Sequence, residues 1–243
     1  MKERLDILLV EKGIVPSRER AKALIMEGNV LVGGAPVTKA GAIVDDHSHI
    51  ELRGEDIPYV SRGGLKLAAV IEHFGMDLRG ITAMDVGSST GGFTDCMLQK
   101  GAQRVYSIDV GYGQLSWSLR NDPRVALLER TNIRHLERQK VPDAIDLAAI
   151  DVSFISLIKV LPKVMEFLGE TGMILALVKP QFEVGKGEVG KGGIVREEEK
   201  RMAALGEVRE FAEGLGLKCL GVFQSPVRGQ KGNIEYFLYL RRG

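Results

Sequence analysis

The stretch of sequence that decides the fold is Met84-Asp-Val-Gly-Ser-Ser-Thr-Gly-Gly-Phe93. An apolar run over residues 81–86 leads into it, and a segment that is compatible with a helix follows it. A second apolar run over residues 104–110 then carries Asp109, twenty-two residues after Gly87. An acidic residue at this distance from a glycine turn is typical of a carboxylate that bonds a nucleoside ribose. The sequence therefore predicts a strand, a glycine turn, a helix and a second strand that together hold a nucleoside cofactor.

Two details of this stretch bear on the identity of the cofactor. Asp85 lies at the end of the predicted strand, where a carboxylate would repel a pyrophosphate but could bind the ammonium of a methionine moiety. The turn Gly-Ser-Ser-Thr-Gly-Gly matches neither the dinucleotide fingerprint nor a phosphate-binding loop, since no Lys-Ser or Lys-Thr follows it. We therefore favour S-adenosylmethionine over a nicotinamide dinucleotide and over a purely structural turn.

The predicted cofactor contacts come from the turn, from the acid and from a polar residue after the third strand. At that third position Asn132 either meets an adenine edge or caps a helix. The full set is Asp85, Gly87, Ser88, Ser89, Thr90, Gly91, Gly92, Phe93, Asp109 and Asn132.

Composition limits the classes of protein to which the chain can belong. With 243 residues, 44% of them hydrophobic, it can form one large domain and one small one. No apolar run approaches the roughly 18 residues that span a bilayer, and we expect neither a membrane segment nor a signal peptide. Two cysteines exclude a disulfide framework and a cysteine metal site, so we expect no metal and a reduced, cytoplasmic location. A net charge of +1 restricts any nucleic-acid binding to local patches.

Residues 1–58 are predicted to form a small α+β module of two helices, a glycine hairpin and short strands. Its second helix is capped by Ser17 and carries Arg18, Arg20 and Lys22 on a basic face. The module as a whole has eight Lys or Arg against ten Asp or Glu. The basic face is therefore either simply solvated or a local contact for RNA.

The apolar pattern stops over residues 53–61, which we interpret as the linker to a second domain at 59–243. In that domain strands and helices alternate, which predicts an α/β fold with a doubly wound sheet. The last connection, residues 225–233, is too short for a crossover between parallel strands, so the final strand is predicted to be antiparallel. A glycine-rich segment over residues 181–195 is long enough for a mobile lid or substrate loop.

Four polar residues are predicted to meet at the ligand-binding edge of this sheet. Asp151 and Lys179 follow the fourth and fifth strands, and the carboxyl ends of parallel strands lie along one edge. Glu235 begins the antiparallel last strand, which starts at the same edge. Lys66 lies in the first turn of a helix, where a lysine opposes the helix dipole and is either exposed by chance or held for a purpose.

The N-terminal module resembles a known RNA-binding family. Its S-R-E-R-A-K-A-L-I-x-x-G-x-V pattern, followed by a glycine hairpin, is similar to the alpha-L module of a ribosomal small-subunit protein, pseudouridine synthases and bacterial tyrosyl-tRNA synthetases. In that family the basic second helix faces RNA phosphates. The resemblance implies RNA contacts by Arg4, Arg18, Arg20 and Lys22.

The whole chain resembles the TlyA-type family, whose members are named both haemolysins and ribosomal RNA 2′-O-methyltransferases and whose catalytic domain is FtsJ-like. The motifs that carry the resemblance are V-S-R-G-G-L-K-L, D-V-G-S-S-T-G-G-F-T-D, I-D-V-G-Y-G-Q-L, D-V-S-F-I-S-L, V-K-P-Q-F-E and N-x-E-Y-F-L. One departure is the linker Ile57-Pro-Tyr-Val60, where relatives often carry an Arg-x-Trp-Val type of sequence.

This resemblance implies a class I, Rossmann-like methyltransferase sheet with an antiparallel last strand. It implies S-adenosylmethionine as cofactor and methyl transfer to a ribose 2′-hydroxyl of ribosomal RNA, with a cytidine as the target. The partners are then ribosomal RNA or ribosomal subunits, with no membrane. The family's catalytic tetrad falls on Lys66, Asp151, Lys179 and Glu235.

Transfer to a ribose hydroxyl requires removal of its proton, and Lys179 is the predicted base. A lysine accepts a proton only as the neutral amine, which a neighbouring Lys66 and partial desolvation would favour. Asp151 and Glu235 are predicted to position the two amines. Other acceptors are disfavoured, because Asp151-Val-Ser-Phe154 is neither the Pro-Pro-Tyr loop of amine methylation nor a cysteine nucleophile. The alternatives are a membrane-lytic haemolysin and an RNA-binding protein without methyl transfer.

Overall fold

Close contacts divide the chain into two units, Met1–Ser61 and Arg62–Gly243. The division falls near the predicted domain boundary between residues 58 and 59. The computed structural model describes residues 2–15, 17–26, 28–53, 57–185, 187–190 and 192–243, without the side chains of Glu19 and Gln230. Residues 54–56 of the predicted linker, and Lys186 and Lys191 of the predicted mobile segment, lie outside the described residues.

The first unit consists of two helices and two small antiparallel sheets. Its elements are β1 (Lys2–Arg4), α1 (Leu5–Glu11), α2 (Arg18–Met26), β2 (Val30–Val32), β3 (Ala35–Val37), β4 (Ile43–Asp45) and β5 (Ile50–Leu52). Strand β1 pairs with β4, and β2 lies between β3 and β5. Apolar side chains of both helices and of β2, among them Leu5, Leu9 and Ile25, form its core.

Local sequence signals explain most of these elements. The hydroxyl of Ser17 accepts a hydrogen bond from the backbone N–H of Arg20 at 3.2 Å, which confirms the predicted cap of α2. Gly33 and Gly34, with φ of 58° and 81°, form the two-residue turn between β2 and β3, where positive φ favours glycine. Strand β1 was not predicted, because three residues are too few to show an alternating pattern.

The second unit is a seven-stranded mixed sheet with helices packed against it. Its elements are α3 (Gly63–His73), β6 (Thr82–Val86), α4 (Gly92–Gln99), β7 (Arg104–Ile108), α5 (Trp117–Arg120), β8 (Val125–Leu128), β9 (Ile145–Ile150), α6 (Leu161–Met165), β10 (Leu168–Val178), α7 (Pro180–Glu183), α8 (Glu198–Gly214), β11 (Leu217–Gln224) and β12 (Tyr236–Arg242). Short 3₁₀ turns occur at Ile133–His135, Arg138–Lys140, Leu157–Lys159 and Gln230–Gly232.

The order of the strands is β11-β12-β10-β9-β6-β7-β8. The pairs from β10 to β8 are parallel, whereas β12 runs antiparallel to both β10 and β11. Every residue of β6 is buried, as expected of a parallel strand with both faces covered. The structure therefore confirms the predicted α/β fold and the predicted antiparallel last strand.

Strand β6 lies at the point where the order of the sheet reverses. Strands β7 and β8 lie on one side of it, and β9 and β10 lie on the other. The backbone N–H of Asp151, just after β9, donates to the carbonyl oxygen of Val86 at the end of β6 at 2.9 Å. Ligands of doubly wound sheets bind in the crevice at such a point. The glycine turn and the predicted catalytic edge are therefore adjacent.

Four elements of the second unit differ from what the sequence patterns predict. The apolar pattern over residues 158–167 predicts one helix, but this stretch forms a 3₁₀ turn and α6, because Pro162 starts a helix more readily than it continues one. The apolar run over residues 173–178 predicts a strand, but β10 begins earlier, at Leu168, before an irregular register that ends at Met173. Helices α5 and α7 were not predicted, because four residues are too few to show a helical period.

Candidate active site

The glycine turn between β6 and α4 requires its glycines for steric reasons. Gly87 has a φ of +90°, and a Cβ there would lie 2.5 Å from the carbonyl oxygen of Asp151. Gly91 has a φ of +98°, and a Cβ there would overlap the side chain of Leu119. Any other residue would push the turn away from the neighbouring backbone or side chains. The turn can therefore approach the sheet edge closely only because these side chains are absent.

Asp85 lies in β6 directly below the turn and is fully buried. One carboxylate oxygen accepts hydrogen bonds from the backbone N–H and the hydroxyl of Thr94 in α4, at 2.9 and 2.6 Å. Burial raises the pKa of the Asp85 carboxyl to about 7. The other oxygen, Oδ1, and the buried hydroxyl of Ser88 have no hydrogen-bond partner among the described residues. Buried polar atoms almost always have a partner, so these two atoms fit a polar ligand at the turn.

Asp109 follows β7 and is held by the backbone of two neighbouring loops. Its carboxylate accepts hydrogen bonds from the N–H of Ser89 at 2.8 Å and from the N–H of Gly111 at 2.6 Å. The side chain is half-buried. These contacts fix the orientation of the carboxylate and tie the glycine turn to the loop after β7. The predicted ribose-binding acid thus lies next to the turn, as the spacing in the sequence indicates.

Two other predicted cofactor residues make contacts within the protein. The side-chain oxygen of Asn132 accepts a hydrogen bond from the N–H of Arg134 at 3.1 Å, which is the capping role left open above. Phe93 is buried in the core, and its ring centroid lies 6.1 Å from that of Phe237. Of the remaining turn residues, Ser89 is exposed and has a φ of +47°. A contact between the cofactor and the Asn132 amide stays a prediction.

Lys66 and Glu235 form the first of two lysine–carboxylate pairs. The amine of Lys66, in α3, lies 2.6 Å from Oε2 of Glu235, and their side chains are only 11% and 2% exposed. Gly229 packs against this carboxylate so closely that a Cβ there would overlap Oε1. Glu235 immediately precedes β12, and the antiparallel direction of that strand brings it to this edge.

Lys179 and Asp151 form the second pair. The amine of Lys179 lies 2.5 Å from Oδ1 of Asp151, and it also donates to the hydroxyl of Ser153 at 3.0 Å. The side chain of Lys179 is 10% exposed. Val178 lies opposite Tyr236 in the antiparallel pair of β10 and β12. Lys179, which follows Val178, and Glu235, which precedes Tyr236, therefore lie at the same edge of the sheet. Each lysine of the predicted tetrad therefore has its own carboxylate.

An exposed aromatic side chain lies beside the second pair and was missed by sequence reasoning. Phe154 is 88% exposed and has a φ of +62°, which is rare for a residue with a side chain. Its ring centroid lies 5.0 Å from that of Phe182, and the Phe182 ring lies 5.9 Å from the amine of Lys179. Strained backbone of this kind clusters at functional sites. The sequence signal was a phenylalanine three residues after Asp151, within a loop.

The basic residues predicted to bind RNA have different surroundings in the first unit. Arg4 and Arg18 both bond the buried carboxylate of Asp6, at 2.9 and 3.0 Å. Arg20 is half-buried and donates to the backbone carbonyl oxygens of Tyr59 and Ile57, at 3.1 and 3.4 Å, so its guanidinium is bonded to the backbone of the same unit. Lys22 is exposed. The sequence did not single out Asp6 because an acid in a helix gives no signal of its own.

The described residues include no group of three or more His, Cys, Asp or Glu side chains able to hold a metal ion. No helix formed by the same residues combines the length and the apolar character needed to cross a membrane.

The order of the sheet, the glycine turn at its reversal point and the ribose-type acid after the next strand define a Rossmann-like methyltransferase. The chain belongs to the FtsJ-like methyltransferase family, which matches residues 59–242. The S4 domain family matches residues 3–50. These matches confirm the predicted methyltransferase class, its methyl donor S-adenosylmethionine and the predicted resemblance of the N-terminal module.

Relatives with known names are similar along nearly the whole chain. The 16S/23S rRNA (cytidine-2'-O)-methyltransferase TlyA of Mycobacterium tuberculosis is 45% identical over 98% of this chain and 89% of its own length. Hemolysin A of Brachyspira hyodysenteriae is 39% identical over 97% of this chain and 98% of its own length. A solved structure from Streptococcus thermophilus, named as a hemolysin, is 43% identical, with a TM-score of 0.78 over 99% of this chain and 88% of that chain.

Proposed function

We propose that this protein transfers the methyl group of S-adenosylmethionine to a ribose 2′-hydroxyl of ribosomal RNA, with a cytidine as the target nucleotide. The name of the Mycobacterium tuberculosis relative supports this substrate. The observation that carries the proposal is the pair of lysine–carboxylate contacts at the sheet edge beside the glycine turn. The methyltransferase domain is residues 59–243, and residues 1–58 dock the RNA. Ribosomal subunits are cytoplasmic, so the reaction takes place in the cytoplasm.

The cofactor is held by the turn and by the two acids around it. When bound, S-adenosylmethionine supplies a methyl group on a sulfonium, which leaves as a neutral thioether. The unpartnered oxygens of Asp85 and Ser88 suit the amino-acid part of this molecule. The carboxylate of Asp109 suits the ribose hydroxyls, because its two N–H partners already fix its orientation.

Lys179 acts on the proton of the attacking hydroxyl. Contacts with Asp151 and with the hydroxyl of Ser153 hold the Lys179 amine at the edge, and the neutral form of this amine has one lone pair for the proton of the substrate hydroxyl. The 2′-oxygen forms its bond to the methyl carbon as its proton passes to the Lys179 nitrogen. The Lys66–Glu235 pair borders the same edge and places a second cation near the oxygen that loses its proton. Alignment of the 2′-oxygen with the methyl carbon and the sulfur supplies much of the rate enhancement, since a sulfonium is already a good leaving group.

Phe154 offers a surface for the nucleotide that carries this hydroxyl. A ring that is 88% exposed, at a strained position and backed by Phe182, is suited to stack on a base. Stacking on Phe154 would bring the sugar of the same nucleotide towards Lys179. The ring therefore supports single-stranded or flipped-out RNA as substrate rather than the interior of a duplex.

Transfer of tritiated methyl groups onto separated small and large ribosomal subunits tests the function directly. The expected result is incorporation that resists alkaline hydrolysis at one phosphodiester linkage, because a 2′-O-methyl group blocks cleavage there. Incorporation into base instead of ribose, or none into either subunit, would overturn the proposal.

A further inference from the structure

A buried acid joins two arginines on the surface of the first unit. The carboxylate of Asp6 is fully buried, whereas the side chains of Arg4 and Arg18 are 45% and 48% exposed. Arg4 donates through Nε and Nη2 to both oxygens of Asp6, at 2.9 and 3.1 Å. Arg18 donates through Nη2 at 3.0 Å. Arg4 and Asp6, two residues apart, and Arg18 of the next helix thus form one bonded cluster.

The geometry of the cluster leaves donors on its outer side. A guanidinium has five N–H groups, and Arg4 directs those on Nε and Nη2 inward while Arg18 directs one on Nη2 inward. The guanidinium of Arg4 also lies against Gly41, where a Cβ would be 3.4 Å from both of its terminal nitrogens. Both planar groups are therefore held in place while half of each side chain faces solvent. Paired guanidiniums that are partly exposed and keep further N–H donors beyond those bonded to Asp6 match the oxygens of a phosphate.

We propose that Asp6 is a positioning residue that holds Arg4 and Arg18 as a preformed clamp for an RNA phosphate. The inference rests on the proposed function, since RNA is the ligand of the first unit. Without Asp6, both long side chains would have to be ordered when RNA binds, at a cost in affinity. Arg20, which is bonded to backbone carbonyls, does not belong to the clamp. The bound group is one backbone phosphate, so the contact carries no sequence information.

The proposal predicts the sign of a mutational effect. Asp6 is negative and RNA is negative, so electrostatic repulsion alone predicts tighter binding when the charge of Asp6 is removed. If Asp6 instead positions the two arginines, removal of its charge should weaken RNA binding. We expect Asp6→Asn to weaken binding of a ribosomal RNA fragment about tenfold, the effect of ordering two long side chains on binding. The matched control is Glu11→Gln, an exposed acid of the same helix that faces Glu3, which should leave affinity unchanged or slightly raise it.

Binding is measured by fluorescence anisotropy with the full chain, and S-adenosylmethionine affinity is measured in parallel. A variant that binds RNA as tightly as wild type, or more tightly, would overturn the clamp. An equal loss in Asp6→Asn when Arg4 and Arg18 are already alanine would also overturn it, because the effect must pass through the arginines.

A measurement on the unmodified protein keeps the test independent of the stability of the variants. The Nε–H signal of Arg4, which donates to Asp6, should exchange with water more slowly in ¹⁵N spectra than that of the exposed Arg53. Equal exchange rates for the two would show that Asp6 does not order Arg4. If the Arg4 signal is protected but RNA does not bind to wild type, the proposed RNA-binding function fails instead of the clamp geometry.

Discussion

Replacement of Lys179 by alanine is the change that tests the chemistry most directly. It removes the amine that lies 2.5 Å from Asp151 and 3.0 Å from Ser153, at a position only 10% exposed. Loss of a general base lowers a rate by about 10²-fold or more, which corresponds to about 2.7 kcal/mol of the activation free energy. We therefore expect single-turnover methyl transfer to fall at least about 100-fold.

The protein should remain folded after this change. Removing one partner of a fully buried ion pair costs about 3–5 kcal/mol, but the side chain of Asp151 is 21% exposed and water can solvate it. The expected loss of stability is therefore smaller, about 1 kcal/mol. Cofactor and RNA affinity should not change, because the change leaves in place Asp85, Asp109 and the basic residues of the first unit, to which we assign cofactor and RNA binding.

Single-turnover kinetics with RNA bound beforehand separate the methyl-transfer step from docking. Lys163→Ala is the matched control, since Lys163 pairs with Glu166 at 2.7 Å on the surface of the same unit, and its rate should stay within about twofold of wild type. Lys179→Arg keeps the positive charge but cannot release a proton near neutral pH. It should be nearly as slow as Lys179→Ala. If Lys179→Arg retains close to wild-type turnover, Lys179 orients the hydroxyl and no protein base takes the proton.

Three other contacts lead to measurable effects. Asp109→Ala removes the acceptor of two backbone N–H groups and should weaken S-adenosylmethionine binding about tenfold or more; unchanged affinity in isothermal titration would place the ribose elsewhere. Phe154→Leu should raise the KM for ribosomal RNA about tenfold without a change in cofactor affinity, as expected on loss of one stacked base, and an equal KM would contradict stacking. Hydrogen bonds from Arg4 hold the pKa of Asp6 at about 2, below its ordinary 3.8. Asp6 therefore stabilises the first unit above pH 4, and the free energy of unfolding of this unit should fall by up to about 2 kcal/mol as the pH falls from 4 to 2. A melting temperature of the first unit that stays constant over this range would contradict the hydrogen bonding of Asp6.

Features that depend on local signals were predicted from the sequence. The bounds of β8 and β11 follow from their apolar runs. The antiparallel direction of β12 follows from the length of the connection before it, and that direction places Glu235 at the edge with Lys179. The type of residue at each strand end therefore predicted that Asp151, Lys179 and Glu235 lie along one edge of the sheet.

Features that depend on contacts between distant residues were not predicted. Spacing alone does not show that Lys66 pairs with Glu235 and Lys179 with Asp151, because the partners are far apart in the chain. The same reason applies to Arg20, whose bonds to the carbonyls of residues 57 and 59 cannot be read from a helical pattern. The positive φ of Phe154 could not be predicted either, since no local sequence rule assigns that conformation to phenylalanine.

Strand β12 enters the described sheet between β10 and β11, although it follows both in the chain. During synthesis on the ribosome, β11 therefore has no neighbouring strand until residues 236–242 have emerged. Until then β10 also exposes an unpaired edge, which is the kind of edge that invites wrong pairing with other chains. Glu235, which immediately precedes β12, reaches Lys66 only in this last step, so the Lys66–Glu235 pair forms after the other strands have been made.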